Sequence, residues 1–289
     1  VTAPPDRYAV IGHPVAHSRS PQIHALFAAQ TGQALRYERI EAPLDGFAPT
    51  VQAFFAAGGR GCNVTLPFKA QAAALAQQRS ARAALAQAAN TLWLHDGRLQ
   101  ADNTDGIGLV NDLQRNLQWV LGDMRMLILG AGGAVAGVCG PLIEAGVARL
   151  CLANRTVSKA QQLAAAHAAL AQAHRVALRA AALHDCDGPY DLVVNAVSAG
   201  LHGELVAPPA AALHGGTRCY DMAYASGRDT PFVAWAKAQG LRASDGLGML
   251  VEQAAESFFL WRGMRPATAP VLAQLRSDDA AAAAGRAQP

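Results

Sequence analysis

Short apolar runs separated by amphipathic stretches organise this chain. Tyr8-Ala9-Val10-Ile11, stopped by Gly12, predicts a first buried strand. Ser20-Pro21 predicts a helix start, with Ser as N-cap and Pro in the first helical position; the helix continues through Ile23, Leu26 and Phe27 to Gly32. A second strand is expected over 35–40, a helix over 47–57 closed by Gly58-Gly59, and a short strand over 61–65 ending at the Pro67 corner. Residues 69–87 are Ala-rich and predict one helix. Thr91–Leu94 and Arg98–Ala101 flank Asp96-Gly97, a dipeptide that favours a tight hairpin turn.

From Asp105 the pattern changes. A helix over 107–118 leads to the apolar strand Arg125–Leu129, a Gly-rich turn, and a helix to about 145. Strands over 148–153, 175–179, 191–195 and 218–222 follow, with a helix over 157–172. After Gly246 the chain reads as helical over 248–262 and 268–277, with an Ala-rich tail to which no function is assigned. Strands alternating with helices imply a parallel sheet covered on both faces.

Composition adds limits. With 289 residues and 52% hydrophobic content, two ordinary cores can form. A net charge of +3 without a long basic run suits small anionic ligands and supplies no nucleic-acid face. Five dispersed cysteines, without a C-x-x-C pair or a Cys/His cluster, read as thiols in a reducing compartment and predict no metal site. The start of the chain shows no secretory pattern and no apolar stretch reaches membrane-spanning length, so a soluble cytoplasmic protein is expected.

Gly130-Ala131-Gly132-Gly133-Ala134 joins a strand to a helix. Helix N-terminal amides and glycines without side chains suit a pyrophosphate, which predicts a Rossmann-type dinucleotide site. Val135 stands where the third glycine of the usual fingerprint belongs, so the turn alone would also fit a tight strand–helix junction. The next strand ends at Asn154-Arg155-Thr156, where an acid would favour NAD and an arginine accommodates a 2′-phosphate. Lys159 adds a second charge one turn on. One or two charge-assisted bonds there would favour NADP roughly ten- to a thousandfold.

Polar residues of the first half gather where strand ends are expected. Ser18 and Ser20 beside a helix start can hold a carboxylate, though Ser20 also fits simple capping. Asn63, Thr65 and Lys69 surround the Pro67 corner, Asn90 precedes the hairpin, and Asp102-Asn103-Thr104-Asp105-Gly106 lies at the domain junction. Reduction of a carbonyl by a nicotinamide needs a proton, for which Lys69 and Asp105 are candidates. Lys69 equally fits a solvated helix residue, and Asp105 a helix cap.

Taken in order, a set of motifs resembles the shikimate dehydrogenase family over nearly the whole chain. They are the stretches 16–21, 61–69, 89–91, 102–106, 130–134 and 154–156, then Tyr220-Asp221-Met222-x-Tyr224, 230–232 and 245–254. The resemblance implies NADP-dependent, reversible reduction of 3-dehydroshikimate to shikimate, a step toward aromatic amino acids. It implies an α/β fold of two domains: an N-terminal open α/β substrate domain (1–106) completed by C-terminal helices (246–289), and a Rossmann-type domain (107–245). It assigns the carboxylate to Ser18 and Ser20, and the ring hydroxyls to Thr65, Asn90, Asp105 and Gln253, with Tyr224 close by. Lys69 and Asp105 become the catalytic pair. Gly130 to Ala134 cradle the pyrophosphate; Asn154, Arg155, Thr156 and Lys159 take the adenosine phosphate; Met222 and Gly246 lie near the nicotinamide. The expected assembly is a monomer or homodimer, with neither nucleic acid nor membrane as partner.

The alternative activity is that of a quinate or dual quinate/shikimate dehydrogenase. A non-catalytic ligand sensor is a further alternative, which would be expected to lose Lys69 or Asp105. The chain departs from the family's usual residues at His13 (often Asn), Gln87 (often Gly) and Ala81 (acidic in some members).

Overall fold

The computed structural model describes residues 4–197 and 205–286. The chain divides into two compact units. The first comprises residues up to Gly108 with Leu250–Val271, and the second Leu109–Met249 with the chain from Leu272. Each is described separately.

The first unit holds a six-stranded sheet in the order β2-β1-β3-β5-β6-β4. Strand β1 (Asp6–Gly12) runs parallel to β2 (Leu35–Glu41) and β3 (Gly59–Val64). Strands β5 (Thr91–His95) and β6 (Arg98–Asp102) form the expected hairpin, with Asp96 at φ 49° and Gly97 at φ 72° making the turn. On one face Ala9, Ile11 and Cys62 pack with Phe47, Val51 and Phe54 of α2 (Phe47–Ala56). On the other, Tyr8 and Tyr37 meet an aromatic layer of His24 and Phe27 from α1 (Ser20–Thr31) and Phe258 and Trp261 from α9 (Leu247–Arg262). Gly61 is dictated by this layer, because a Cβ there would come within 2.6 Å of the Trp261 indole nitrogen.

The single helix expected over 69–87 does not form. The chain makes α3 (Lys69–Leu75), a two-residue strand β4 (Gln78–Arg79) and α4 (Ala81–Ala86). Alanine favours helix, but pairing with β6 wins. Gln77 N–H donates to Leu99 O, the Gln77 side chain accepts from Leu99 N–H, and Ser80 N–H donates to Ala101 O. Ser80 then caps α4 by accepting from Ala83 N–H at 3.1 Å.

The second unit is a six-stranded, all-parallel sheet in the order β12-β11-β10-β7-β8-β9. The strands are β7 (Arg125–Leu129), β8 (Arg149–Ala153), β9 (Ala177–Ala181), β10 (Leu192–Asn195), β11 (Arg218–Asp221) and β12 (Arg242–Asp245). In chain order this is 3-2-1-4-5-6 reversed, the dinucleotide-binding arrangement with its switch point between β7 and β10. Both faces are covered: Met126 and Ile128 lie in one core, Leu127 and Leu129 in the other. The covering helices include α6 (Gly133–Glu144), α7 (Val157–Ala173) and α8 (Pro231–Ala238). The latter, like β12, the sequence reading had not singled out.

The expected helix over 107–118 is instead α5 (Asp105–Asn111) followed by a wider turn over Asp112–Asn116. The last helix, α10 (Thr268–Arg286), is longer than expected. Its part beyond Leu272 groups with the second unit, where Arg276 pairs with the buried Asp245; the expected division had kept all of it with the first. Among the described residues, no helix is long and apolar enough to cross a membrane.

Gln87 ends α4 in the left-handed region at φ 48°, a conformation that favours glycine. Gln87→Gly is expected to raise the unfolding free energy by about 0.5–1 kcal/mol. Urea denaturation that shows no gain, or a loss, would contradict this.

Candidate active site

In the first unit, β1 and β3 are parallel neighbours, so the residues that follow them emerge at one edge of the sheet. Gly12 ends β1 where a Cβ would fall 2.3 Å from the Thr65 methyl group, so glycine lets Thr65 close over the strand end. In the loop after β1, Ser18 Oγ lies 3.2 Å from Ser20 Oγ and accepts the Ser20 N–H at 3.3 Å. The expected capping by Ser20 does not occur. Arg19 occupies the N-cap, where its guanidinium offers no acceptor, and Ser18 serves the Ser20 N–H instead. The two hydroxyls are thus brought together: Ser18 accepts the first amide of α1, and the Ser20 hydroxyl meets Ser18 and Tyr37 and caps no amide.

Lys69 opens α3 and Asp105 opens α5. Lys69 Nζ donates to Asp105 Oδ2 at 2.5 Å, with the two side chains only 15% and 8% exposed. Lys69 is therefore no solvated helix residue. The cap of α5 comes from Asn103, whose Oδ1 accepts the Asp105 N–H at 3.2 Å, leaving the Asp105 carboxylate free for other partners.

Asn90 is the hub. Its Nδ2 approaches Thr104 Oγ1, Asp105 Oδ1 and Gln253 Oε1 at 2.9, 2.9 and 3.1 Å, and its Oδ1 accepts the Thr104 N–H at 2.8 Å. Behind it, Ser257 Oγ meets Asn63 Nδ2, Thr91 Oγ1 and Thr104 Oγ1 within 3.2 Å. Asn63 Oδ1 in turn accepts the Tyr37 hydroxyl at 2.7 Å. Sequence reasoning gave no role to Asn103, Thr104 or Ser257. Asn103 and Thr104 stood beside Asp105 and could have been weighed as its supports; nothing in the sequence points to Ser257.

In the second unit, Gly130 adopts φ 121° and passes close to Ala196 O; its N–H donates to Ala153 O at 2.7 Å. Helix α6 starts at Gly133 with Gly132 as N-cap and no side-chain bond to its first-turn amides. A Cβ at Gly132 or Gly133 would meet nothing within 4 Å. Open space over bare amides fits a pyrophosphate, and Ala131 and Ala134, half-buried, add no bulk. Val135, in place of the third glycine, is fully buried in the core under the turn.

After β8, Asn154 Nδ2 donates to Thr156 O at 2.9 Å and shapes the turn. Arg155, Thr156 and Lys159 are exposed. Among the described residues, the Arg155 and Lys159 side chains have no hydrogen-bond or ion-pair partner. Two unpaired cations at this strand end fit a phosphate on the adenosine ribose.

Met222 and Gly246 lie against one another. A Cβ on Gly246 would lie 2.3 Å from Met222 O, and Gly246 N–H donates to Ala223 O at 2.9 Å. Tyr224 is half-buried in the loop after β11. That loop is anchored by Asp221, which accepts from Asn195 Nδ2, Ala223 N–H and Thr230 Oγ1. Burial pushes the Asp221 carboxyl above the usual carboxylate range, partly offset by these three donors.

Fold and site define a class: a two-unit α/β oxidoreductase with a dinucleotide-binding unit and a unit that carries a lysine–aspartate pair. Family models match three stretches of the chain. Residues 10–92 match the shikimate dehydrogenase substrate binding domain, 112–202 the shikimate/quinate 5-dehydrogenase model, and 246–276 the shikimate 5′-dehydrogenase C-terminal domain. A protein of Cupriavidus necator named shikimate dehydrogenase (NADP(+)) is 53% identical over 277 residues, 94% of each chain. The crystal structure of an Ael1 enzyme from Pseudomonas putida superposes with a TM-score of 0.84 at 47% identity, covering 93% of this chain and 98% of that one. Shikimate 5-dehydrogenase from Thermus thermophilus, solved with NADP(H) and shikimate, gives 0.81 at 33% identity over 94% and 99%. This chain belongs to the shikimate dehydrogenase family.

The buried layer behind Asn63 yields a pH dependence. His24 is fully buried and stacked on Tyr37 at 4.2 Å; Asn63 comes near its ring, but neither ring nitrogen makes a bond of normal geometry. Burial dominates and pushes the imidazole down to about 3, from 6.5 in the open. Between those values the unfolded chain holds one more proton. The contribution is therefore present above about 6.5 and lost as pH falls, by about 1.4 kcal/mol per pH unit. His24→Phe should make the unfolding free energy less steep by about that amount between roughly pH 6 and pH 4. Equal slopes in the two proteins would rule His24 out as the source.

Proposed function

We propose that this protein catalyses the reversible, NADP-dependent reduction of 3-dehydroshikimate to shikimate. The observation that carries the reading is the shielded Lys69–Asp105 pair, held by Asn90 beside Thr65 in a chain of this family. Five free, buried cysteines support action in the reducing cytoplasm.

Ser18 and Ser20, whose hydroxyls converge, bind the substrate carboxylate through them. Thr65, Asn90, Asp105 and Gln253 hold the ring hydroxyls. A site built on such bonds rejects ligands that lack the matching groups. The pyrophosphate rests on the Gly130–Ala134 turn, and Arg155 with Lys159 takes the 2′-phosphate. When bound, the nicotinamide supplies the hydride that reduces the C3 carbonyl. Lys69 gives the proton that the developing alkoxide needs, from Nζ to the carbonyl oxygen, and solvent restores it. Asp105, fixed by Asn90, orients the ammonium and accepts the second bond from it or from the product hydroxyl. The reverse reaction uses the same groups with Lys69 as base.

Initial rates that cross shikimate and quinate with NADP⁺ and NAD⁺ test the proposal. Shikimate with NADP⁺ should lead in kcat/KM by about tenfold or more, a margin of about 1.4 kcal/mol. Equal rates with quinate would overturn the carboxylate-end assignment, and silence with all four pairs would overturn the activity. Arg155→Gln should cut the preference for NADP⁺ over NAD⁺ by about ten- to a hundredfold; an unchanged ratio would place the 2′-phosphate elsewhere. Lys69→Ala should lower kcat by about 10²–10⁴-fold, with a smaller change in KM. A fall of less than about fivefold would remove Lys69 from the proton-transfer role.

A further inference from the structure

Arg39 has no place in the roles above, yet its geometry ties it to them. It lies on the edge strand β2, opposite Val10 of β1. Its side chain crosses to the loop after β1, where Nε and Nη2 both donate to the backbone carbonyl of Ser18, at 2.9 and 2.5 Å. Among the described residues it has no carboxylate partner. A planar guanidinium that spends two donors on one neutral carbonyl fixes where that carbonyl points and, with it, the plane of the following peptide.

The rest of Ser18 is tied locally. Its N–H donates to Val15 O at 3.0 Å, and its hydroxyl exchanges bonds with the N–H and hydroxyl of Ser20. These bonds fold the turn on itself, and the loop also meets β2 through the Ser20 hydroxyl at Tyr37 and through His13 beside Glu41. Arg39 adds the tie to the Ser18 backbone, from a strand that is in register with β1 and so moves with it. Ser18 is half-buried and the Ser20 residue buried, and the two hydroxyls converge on one another beside that tie.

We propose that Arg39 is a positioning residue for the carboxylate end of the substrate: it locks the Ser18 turn so that the Ser18 and Ser20 hydroxyls face one ligand group, and it adds positive charge beside an otherwise neutral pair of hydroxyls. This rests on the reading that those serines bind the carboxylate. Because the Arg39 side chain is exposed, its bonds matter little to global stability. What it contributes is order in the loop before substrate arrives, which is read in affinity.

The test is steady-state kinetics of Arg39→Met and Arg39→Lys, in the full protein and in a Ser18→Ala/Ser20→Ala background. Arg39→Met should raise KM for shikimate about tenfold, with kcat within about twofold and KM for NADP⁺ unchanged. Arg39→Lys keeps one donor and the charge and should recover part of the loss. In the double-serine background, Arg39→Met should add less than about twofold, because the groups it positions are gone. The thermal midpoint of Arg39→Met should stay within a few degrees of the parent, which separates a local effect from misfolding.

A KM unchanged by Arg39→Met, while the double-serine variant raises it, overturns the role of Arg39 and leaves the carboxylate assignment standing. An unchanged KM in the double-serine variant overturns the assignment itself. A loss of equal size in both backgrounds shows that Arg39 does not act through the serines.

Discussion

The Asn90 carboxamide sits 2% exposed at the start of β5 and must find a partner for every polar atom it carries. A buried amide or carbonyl left unpaired costs about 1–3 kcal/mol. Its partners therefore cannot be placed independently: Thr104 and Asp105 at the start of α5 and Gln253 on α9 all close on one side chain. A strand end and two helices meet there, and the carboxylate of Asp105 is set before Lys69 reaches it. The Lys69–Asp105 pair is the outermost member of a chain of bonds that runs inward through Thr91, Ser257 and Asn63 to Tyr37. Rigidity at Lys69 Nζ is inherited from the sheet, which a pair of freely rotating surface side chains could not supply.

The second unit meets the same demand with backbone. Where β11 and β12 end, Gly246 lets the chain pass against Met222 O, and Gly248 leaves room for the buried Asp112 carboxylate. Asp112 accepts the Tyr220 hydroxyl at 2.6 Å, which fastens the turn below α5 to β11. Asp221 repeats the device one strand end further on, with three donors converging on one carboxylate. Glycines open the space and buried carboxylates hold the loops. The amides at the start of α6 receive no side-chain cap among the described residues and suit an anion.

Much of this was legible in the sequence for a simple reason. Parallel strands buried on both faces must be apolar throughout, so Met126–Leu129 and Leu192–Val194 announce themselves. The glycine turn and Asp96-Gly97 were legible because their backbone angles restrict the residue type. Arg155 was found by counting strands after the turn. The break in the Ala-rich stretch was not legible: helix propensity is local, whereas the bonds from Gln77 and Ser80 go to Leu99 and Ala101, about twenty residues away in sequence. The supporting polar layer was hidden for the same reason. Ser257 sits in an apolar helix, and only the fold shows that it faces Asn63, Thr91 and Thr104 at once.

The ion pairs divide by what they connect. Arg262 with Asp6 and Arg276 with Asp245 each bind a C-terminal helix to a strand end of its own unit, and the arginine fork fills its partner with more than one donor or a second acceptor. These are fasteners. Lys69 differs on every count. It opens a helix, where the dipole disfavours a cation by about 0.3–1 kcal/mol, and meets its carboxylate through a single ammonium on a flexible stem. An acidic residue would suit the helix dipole but would repel the Asp105 carboxylate, so the lysine answers to its partner and not to the helix. A cation held against the helix dipole, shielded from solvent and facing a carboxylate fixed from behind, is costly as architecture and apt for moving one proton to a carbonyl oxygen.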